Sequence, residues 1–126
     1  MNDIYEMMST LRAVRRLRPD PIPEDVLNRV LQAAAWAPTG GNMQPWRVIV
    51  VTSQERKTAL ADIYRPAWYR YAKGYDARIE QLPDDEAEKA RRNRVAGDYL
   101  ADHLEEAPSI LMFVADPKLM AITDAK

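Results

Sequence analysis

The stretch Ala37-Pro38-Thr39-Gly40-Gly41-Asn42-Met43-Gln44-Pro45-Trp46, running directly into Arg47-Val48-Ile49-Val50-Val51, decides how the rest of the chain is read. It is a loop of small residues, closed by a proline at each end, that feeds an apolar strand. Gly40 and Gly41 permit backbone angles closed to other residues. Asn42 and Gln44 each carry both a donor and an acceptor. Pro38 and Pro45 fix their own φ and restrict the residue before them, so the loop is stiffened. A stiff loop of this kind can set backbone N–H groups and two amides against a planar polar ligand. It can equally be a helix-to-strand connection that needs glycine for geometry.

The 126 residues fit one domain with no internal boundary, and 47% apolar content suffices for a core. A net charge of −1 gives no general attraction to nucleic acid or to an acidic membrane, so neither is expected as a partner. The absence of cysteine excludes a disulfide framework, thiol catalysis and cysteine-bound metal. It suits a cytoplasmic location. No apolar run approaches the roughly 20 residues of a membrane span.

Upstream of the loop, Ile4, Met7, Leu11 and Val14 recur at helical spacing, which predicts a helix over 3–17. Arg12, Arg15 and Arg16 would then share a neighbouring face. Three guanidinium groups together can hold a phosphate through paired, charge-assisted bonds. They can also simply favour the C-terminal end of a helix or solvate a face. A proline-punctuated connector, Pro19 to Pro23, leads into a second helix with Val26, Leu27, Val30, Leu31 and Ala34 inward, ending before Pro38.

Downstream, Trp46 to Thr52 reads as a strand buried on both faces. Ser53 can cap a short helix over 54–63, with Ala59, Leu60 and Ile63 inward. Over 64–83, Tyr64, Trp68, Tyr71 and Tyr75 fall on one helical face, either as a lid over a ligand or packed on a neighbouring helix. A charged helix over 84–105 has Val95, Tyr99, Leu100 and Leu104 as apolar contacts. His103 reads as a solvated bystander and Trp36 as a packing residue. Residues 110–115 form a second strand, and the final residues start another helix. Two strands are marginal alone. The 126 residues therefore read as the front of a larger α+β domain, its missing strands supplied beyond Lys126 or by another chain. No catalytic acid–base pair and no metal site emerge.

The order of these features resembles the nitroreductase family of FMN-dependent oxidoreductases. The matching residues are Arg12-Ala13-Val14-Arg15-Arg16, Pro21-Ile22-Pro23, and the loop from Ala37 to Trp46 with its strand. The resemblance is close over 9–52, looser over 107–117, and over 64–105 extends only to a helical insertion. It implies a three-layer α/β/α sandwich, incomplete here, in a homodimer with FMN at the interface. It assigns Arg12, Ala13, Arg15 and Arg16 to the flavin phosphate and pyrimidine. Pro38, Thr39, Gly40, Asn42 and Gln44 would reach a flavin held mainly by the partner subunit. The family's leading basic position falls on Leu11, which shifts the arginine register by one. The implied activity passes electrons from NADH or NADPH to nitroaromatic, quinone or similar acceptors by a ping-pong mechanism, with no catalytic residue required of the protein. The same resemblance admits flavin fragmentation or dehalogenation, and a non-catalytic flavin-sequestering or dimerising role.

Overall fold

The computed structural model describes residues 3–119, a mixture of helix and sheet in the α+β class. Four helices, α1 (Ile4–Thr10), α2 (Glu24–Ala35), α3 (Gln54–Ile79) and α4 (Asp84–Asp102), accompany two strands, β1 (Trp46–Val51) and β2 (Ile110–Ala115). The expected last helix falls largely outside the described residues, which end in the 3₁₀ turn Pro117–Leu119.

β1 and β2 pair antiparallel, with Trp46 opposite Ala115 and Val51 opposite Ile110. The register fixes the layout. Both helices of the intervening excursion leave from and return to the Val51 end of the sheet. The glycine turn that precedes Trp46 lies at the other end, where the Asp116 N–H donates to the Pro45 carbonyl at 2.7 Å. Strands of this length put about 17 Å between the two ends.

The long excursion is a helical hairpin. α3 presents Lys57, Ala61, Arg65, Trp68, Ala72, Tyr75 and Ile79 on one face, spaced four or three apart. Ile79 packs on Ala87 and Ala90 of α4 and Trp68 lies against Gly97, while Ala61, Ala72 and Ala101 are fully buried. Polar bonds tie the seam. The Arg94 Nε and Nη2 donate to the two oxygens of Asp76 at 2.9 and 3.3 Å, and Nη1 faces Asp98. Arg65 meets Asp62, Asp102 and Glu105. The buried Lys57 Nζ donates to the Ala107 carbonyl at 2.7 Å, anchoring the root of α3 to the segment that enters β2.

Several expectations are corrected. The helix over 3–17 ends at Thr10. The Thr10 and Ser9 hydroxyls bond back to the Glu6 carbonyl at 2.7 and 3.0 Å, and Leu11 turns extended at ψ 131°. With Ile4 and Met7 exposed, no packing rewards further turns, and a short helix without packing is marginal. The arginines therefore lie on an irregular segment and share no helical face. The helices expected over 54–63 and 64–83 are one helix that runs through Pro66. A proline inside a helix costs about 3 kcal/mol; the seam along α4 outweighs it. Ser53 stands at the N-cap without a side-chain bond. Ala59, Ile63 and Val95 face outward, because alanines and Gly97 hold the seam instead. α4 stops at Asp102, and a 3₁₀ turn covers Leu104–Glu106. Trp36 is exposed.

The strands are also less covered than their composition predicts. β1 alternates half-buried and exposed positions before the buried Val51. In β2, Met112, Phe113 and Val114 are exposed. The chain presents 10399 Å² of accessible surface, about half as much again as a compact chain of 14.4 kDa. Both sheet faces thus await cover that residues 3–119 do not provide.

The seam yields two predictions. A Cβ on Gly97 would overlap the Trp68 indole. Gly97→Ala should therefore lower the melting temperature, because overpacking of about 1–3 kcal/mol exceeds the gain of up to ~1 kcal/mol in helix propensity; a raised melting temperature would contradict the packing. The Tyr69 hydroxyl donates to both Asp102 oxygens at 3.0 and 2.9 Å. That bond, with a smaller desolvation effect, holds the phenol above the ordinary 10.0. Its stabilising contribution is present below that pH and is lost as pH rises through the raised value. Ultraviolet titration should show one late-ionising tyrosine, returning toward the ordinary range in Asp102→Asn.

Candidate functional site

The loop before β1 forms a tight, strained turn. A 3₁₀ turn over Gly40–Asn42 is closed by the Asn42 N–H donating to the Thr39 carbonyl at 2.9 Å and the Met43 N–H to the Gly40 carbonyl at 3.2 Å. Gly41, Asn42 and Gln44 take φ of 59°, 54° and 48°. Asparagine tolerates the left-handed region because its short side chain bonds locally; glutamine enters it rarely. Two bonds hold Gln44 there. Its N–H donates to Thr39 Oγ1 at 3.1 Å, and its Nε2 donates to Asn42 Oδ1 at 3.0 Å.

That amide-to-amide bond has a chemical consequence. It uses one donor of Gln44 and one acceptor of Asn42. The Asn42 Nδ2 donors and the Gln44 Oε1 acceptor keep no protein partner among the described residues. A donor and an acceptor thus stand side by side on one rigid turn. Gly40 adds access, since a Cβ there would meet nothing within 4 Å. Pro38 is exposed and Thr39 half-buried at the turn's entrance.

The arginines diverge. Arg12 Nη1 donates to the Ser9 and Leu11 carbonyls at 3.0 and 2.7 Å, closing the end of α1. Arg16 lies over the Tyr99 ring at 4.0 Å. Tyr99 in turn stacks on His103, with ring centroids 4.0 Å apart. His103 is therefore no solvated bystander: it caps α4, half-buried, with Nδ1 2.8 Å from the Tyr99 carbonyl. Arg15 is half-buried and has one long contact, Nη1 to the Ala13 carbonyl at 3.4 Å. Among the described residues it has no carboxylate partner.

Ala13 and Arg15 open onto a pocket of about 350 Å³ completed by Trp68, Tyr71, Tyr75 and Asn93. The aromatic stripe of α3 therefore divides. Trp68 and Tyr75 pack on the hairpin and also wall the pocket, while Tyr71 is 65% exposed. Asn93 was not legible as a site residue. Its only signal is position: it stands one turn before Gly97 on the α4 face that meets Trp68. No group of acidic, histidine or cysteine residues among those described could hold a metal ion. No helix among them is long and apolar enough to cross a membrane.

The structure brings Ala13 and Arg15 together with the aromatic wall. No hydrogen bond or ion pair among the described residues joins the arginine segment to the glycine turn. Arg16 rests near the C-terminal end of α4 and Arg15 along the middle of the hairpin, whereas the turn adjoins the Trp46 end of the sheet.

Known proteins resemble this chain in sequence. An NADH dehydrogenase of Thermus thermophilus is 47% identical over 51 residues, 40% of this chain and 25% of that protein. The nitroreductase NfnB of Mycolicibacterium smegmatis is 47% identical over 45 residues, 36% of this chain and 19% of that protein. The iodotyrosine deiodinase 1 of Rattus norvegicus is 24% identical over 124 residues, 98% of this chain and 41% of that protein. The chain thus spans 19% to 41% of the length of these three relatives. The family model described as the nitroreductase family matches residues 10–125. With that match extending over nearly all of its 126 residues, the chain belongs to the nitroreductase family, whose members are oxidoreductases.

Proposed function

We propose that this chain supplies both halves of an FMN site that is completed between two copies in a homodimer, and that the dimer reduces nitroaromatic, quinone or related acceptors with NADH or NADPH. The observation that carries the reading is the free donor–acceptor pair on the 39–44 turn. Asn42 Nδ2 and Gln44 Oε1 match the alternating carbonyl and N–H edge of a flavin pyrimidine, and Gly40 lets the backbone approach it.

The arginine segment fits the remainder of the cofactor. Arg12, Arg15 and Arg16 make neutral or cation–π contacts, so each can be redirected. Release of Arg16 from Tyr99 costs about 0.5–1 kcal/mol at an exposed site. A hydrogen bond to a charged group returns about 1.5–3 kcal/mol. A phosphate therefore competes successfully for these side chains. Ala13, with only a methyl group, leaves its backbone open to the ring edge. Pro38 and Thr39 hold the turn in register from the other protomer.

When bound, the isoalloxazine supplies the redox chemistry, taking electrons from a reduced nicotinamide and delivering them to an organic acceptor. The protein's part is to bind and orient. A guanidinium beside the pyrimidine also stabilises negative charge there, by preorganised electrostatics. Dimerisation is supported by the uncovered apolar residues of both strands. The complete three-layer sandwich belongs to the same proposal.

A specific observation favours a second reading, reductive dehalogenation of an aromatic amino acid. The deiodinase alignment runs through the helical hairpin, whereas the NADH dehydrogenase and NfnB alignments cover well under half of the chain. Release of iodide from iodotyrosine by the flavin-loaded protein would select this reading.

The purified protein should show oxidised-flavin absorption that NADH or NADPH bleaches. Arg12→Ala combined with Arg16→Ala should lower FMN occupancy at least about tenfold, as expected for two lost charge-assisted bonds. Unchanged stoichiometry would remove these residues from the site. Asn42→Leu should weaken FMN while the far-ultraviolet circular dichroism stays unchanged; loss of the fold instead would make Asn42 structural.

A further inference from the structure

Among the described residues, Lys57 is the one charged side chain withdrawn from solvent, at 6% exposure. Its Nζ donates to the Ala107 carbonyl at 2.7 Å. An ammonium carries three donors, so two are left over. No carboxylate pairs with it among the described residues. Glu105, two residues before Ala107, is engaged by Arg65 at 3.3 Å. Glu55, in the same helical turn, is exposed and stands two residues from Lys57, a spacing at which helical side chains do not face one another. The position is also electrostatically adverse. Lys57 stands at the first turn of the 26-residue α3, the end whose dipole disfavours a cation and favours an anion. A buried charge in this state is costly unless a group of opposite sign meets it.

The surroundings suit such a group. Lys57 lines a pocket of about 310 Å³ at the end of the sheet where Val51 faces Ile110. The polar lining is Lys57, Thr52 and Ser109, and neither hydroxyl has a protein partner among the described residues. Ser109 follows two residues after the carbonyl that Lys57 holds. The apolar lining is Pro19, Pro21, Ile22, Leu27 and Pro108. The polar groups come from the strand ends and the root of α3, and the apolar ones mainly from the connector before α2 and from α2 itself, so the two chemistries are segregated. The volume lies at the small end of ligand sites.

We propose that this pocket binds a small organic carboxylate with a short, branched apolar tail. The carboxylate bonds to Lys57 Nζ with Ser109 and Thr52 beside it, and the tail lies against Ile22, Leu27 and the prolines. One ammonium between two neutral hydroxyls matches a single negative charge, which favours a carboxylate over a phosphate. Five of the eight lining residues are apolar, which favours a ligand with a tail over a bare anion. Neither the Asn42–Gln44 turn nor Arg12, Arg15 or Arg16 lines this space, so the inference does not depend on the flavin reading.

The test is titration of the purified protein with 4-methylpentanoate, 4-methylpentan-1-ol and acetate, followed by ligand-observed NMR. 4-Methylpentanoate should bind at least about tenfold tighter than the alcohol, which keeps the tail and lacks the charge. It should also bind at least about tenfold tighter than acetate, which keeps the charge and lacks the tail. Lys57→Met, with a straight uncharged chain, should abolish the preference for the acid over the alcohol. Ser109→Ala, which leaves the bond from Lys57 to Ala107 in place, should weaken 4-methylpentanoate about threefold and gives a reading even if Lys57→Met fails to fold. Added FMN should leave the affinity unchanged. Equal affinity for the acid and either control would overturn the proposal, as would a preference that survives Lys57→Met or an affinity unmoved by Ser109→Ala. Displacement of the acid by FMN would assign it to the arginine segment and overturn the proposal as well.

Discussion

The antiparallel pairing of β1 with β2 is the constraint on which the rest depends. It brings residues 51 and 110 together and so closes a loop of some sixty residues into a helical hairpin rooted at one end of the sheet. The same register sends the glycine turn to the opposite end. Two groups of ligand-suited residues thereby belong to different elements of one polypeptide. The segment carrying Arg12, Ala13, Arg15 and Arg16 associates with the hairpin, through Arg16 on Tyr99 and Arg15 beside Trp68. The turn carrying Asn42 and Gln44 belongs to the far strand end. The exposed apolar residues of the strands leave the sheet uncovered among the described residues.

Energetics divide the molecule in the same way. The hairpin is well specified: small residues allow close approach, and Arg94, Arg65 and Lys57 satisfy acceptors across the seam. α1 and the arginine segment are loosely committed, with solvent-facing apolar side chains and guanidinium groups on backbone carbonyls or a ring face. Weak local contacts leave these side chains free to turn toward a phosphate. The turn is the reverse case, where the left-handed backbone of Asn42 and Gln44 is held by two hydrogen bonds. Such local strain, with a typical cost of about 1–3 kcal/mol per residue, persists where the surrounding structure over-determines it.

What could be read from the residues follows from how local each signal is. The strands over Trp46–Val51 and Ile110–Ala115, and the second helix before Pro38, are written in short apolar periods, and the structure agrees with their positions, although Val30, expected inward, is exposed. The paired prolines and glycines marked a turn, though nothing in the order of residues shows that Asn42 and Gln44 bond to each other. The period predicts too long a first helix because it continues through Val14, while no packing partner for that stripe lies among the described residues. The long third helix was cut short because Pro66 is a strong local breaker, and only the tertiary seam overrules it. The inward face was misplaced for a related reason. Large residues such as Ile63 and Val95 suggest a core, but a close helix pair is built on alanine and glycine. Arg15 was identified with its two neighbours; its separation from them follows from an extended backbone that helical periodicity could not anticipate.

Subunit complementation tests the central claim most directly. A chain carrying Asn42→Leu keeps its arginines, and a chain carrying Arg12→Ala with Arg16→Ala keeps its turn. If each flavin is held by the arginine segment of one protomer and the glycine turn of the other, mixing the two inactive chains under conditions of subunit exchange rebuilds one intact site in every heterodimer. FMN uptake per heterodimer should then rise to half that of the unmodified dimer, so that an equal mixture at statistical exchange reaches about a quarter. Heterodimers that form but bind no more FMN than either parent would contradict a site shared between protomers.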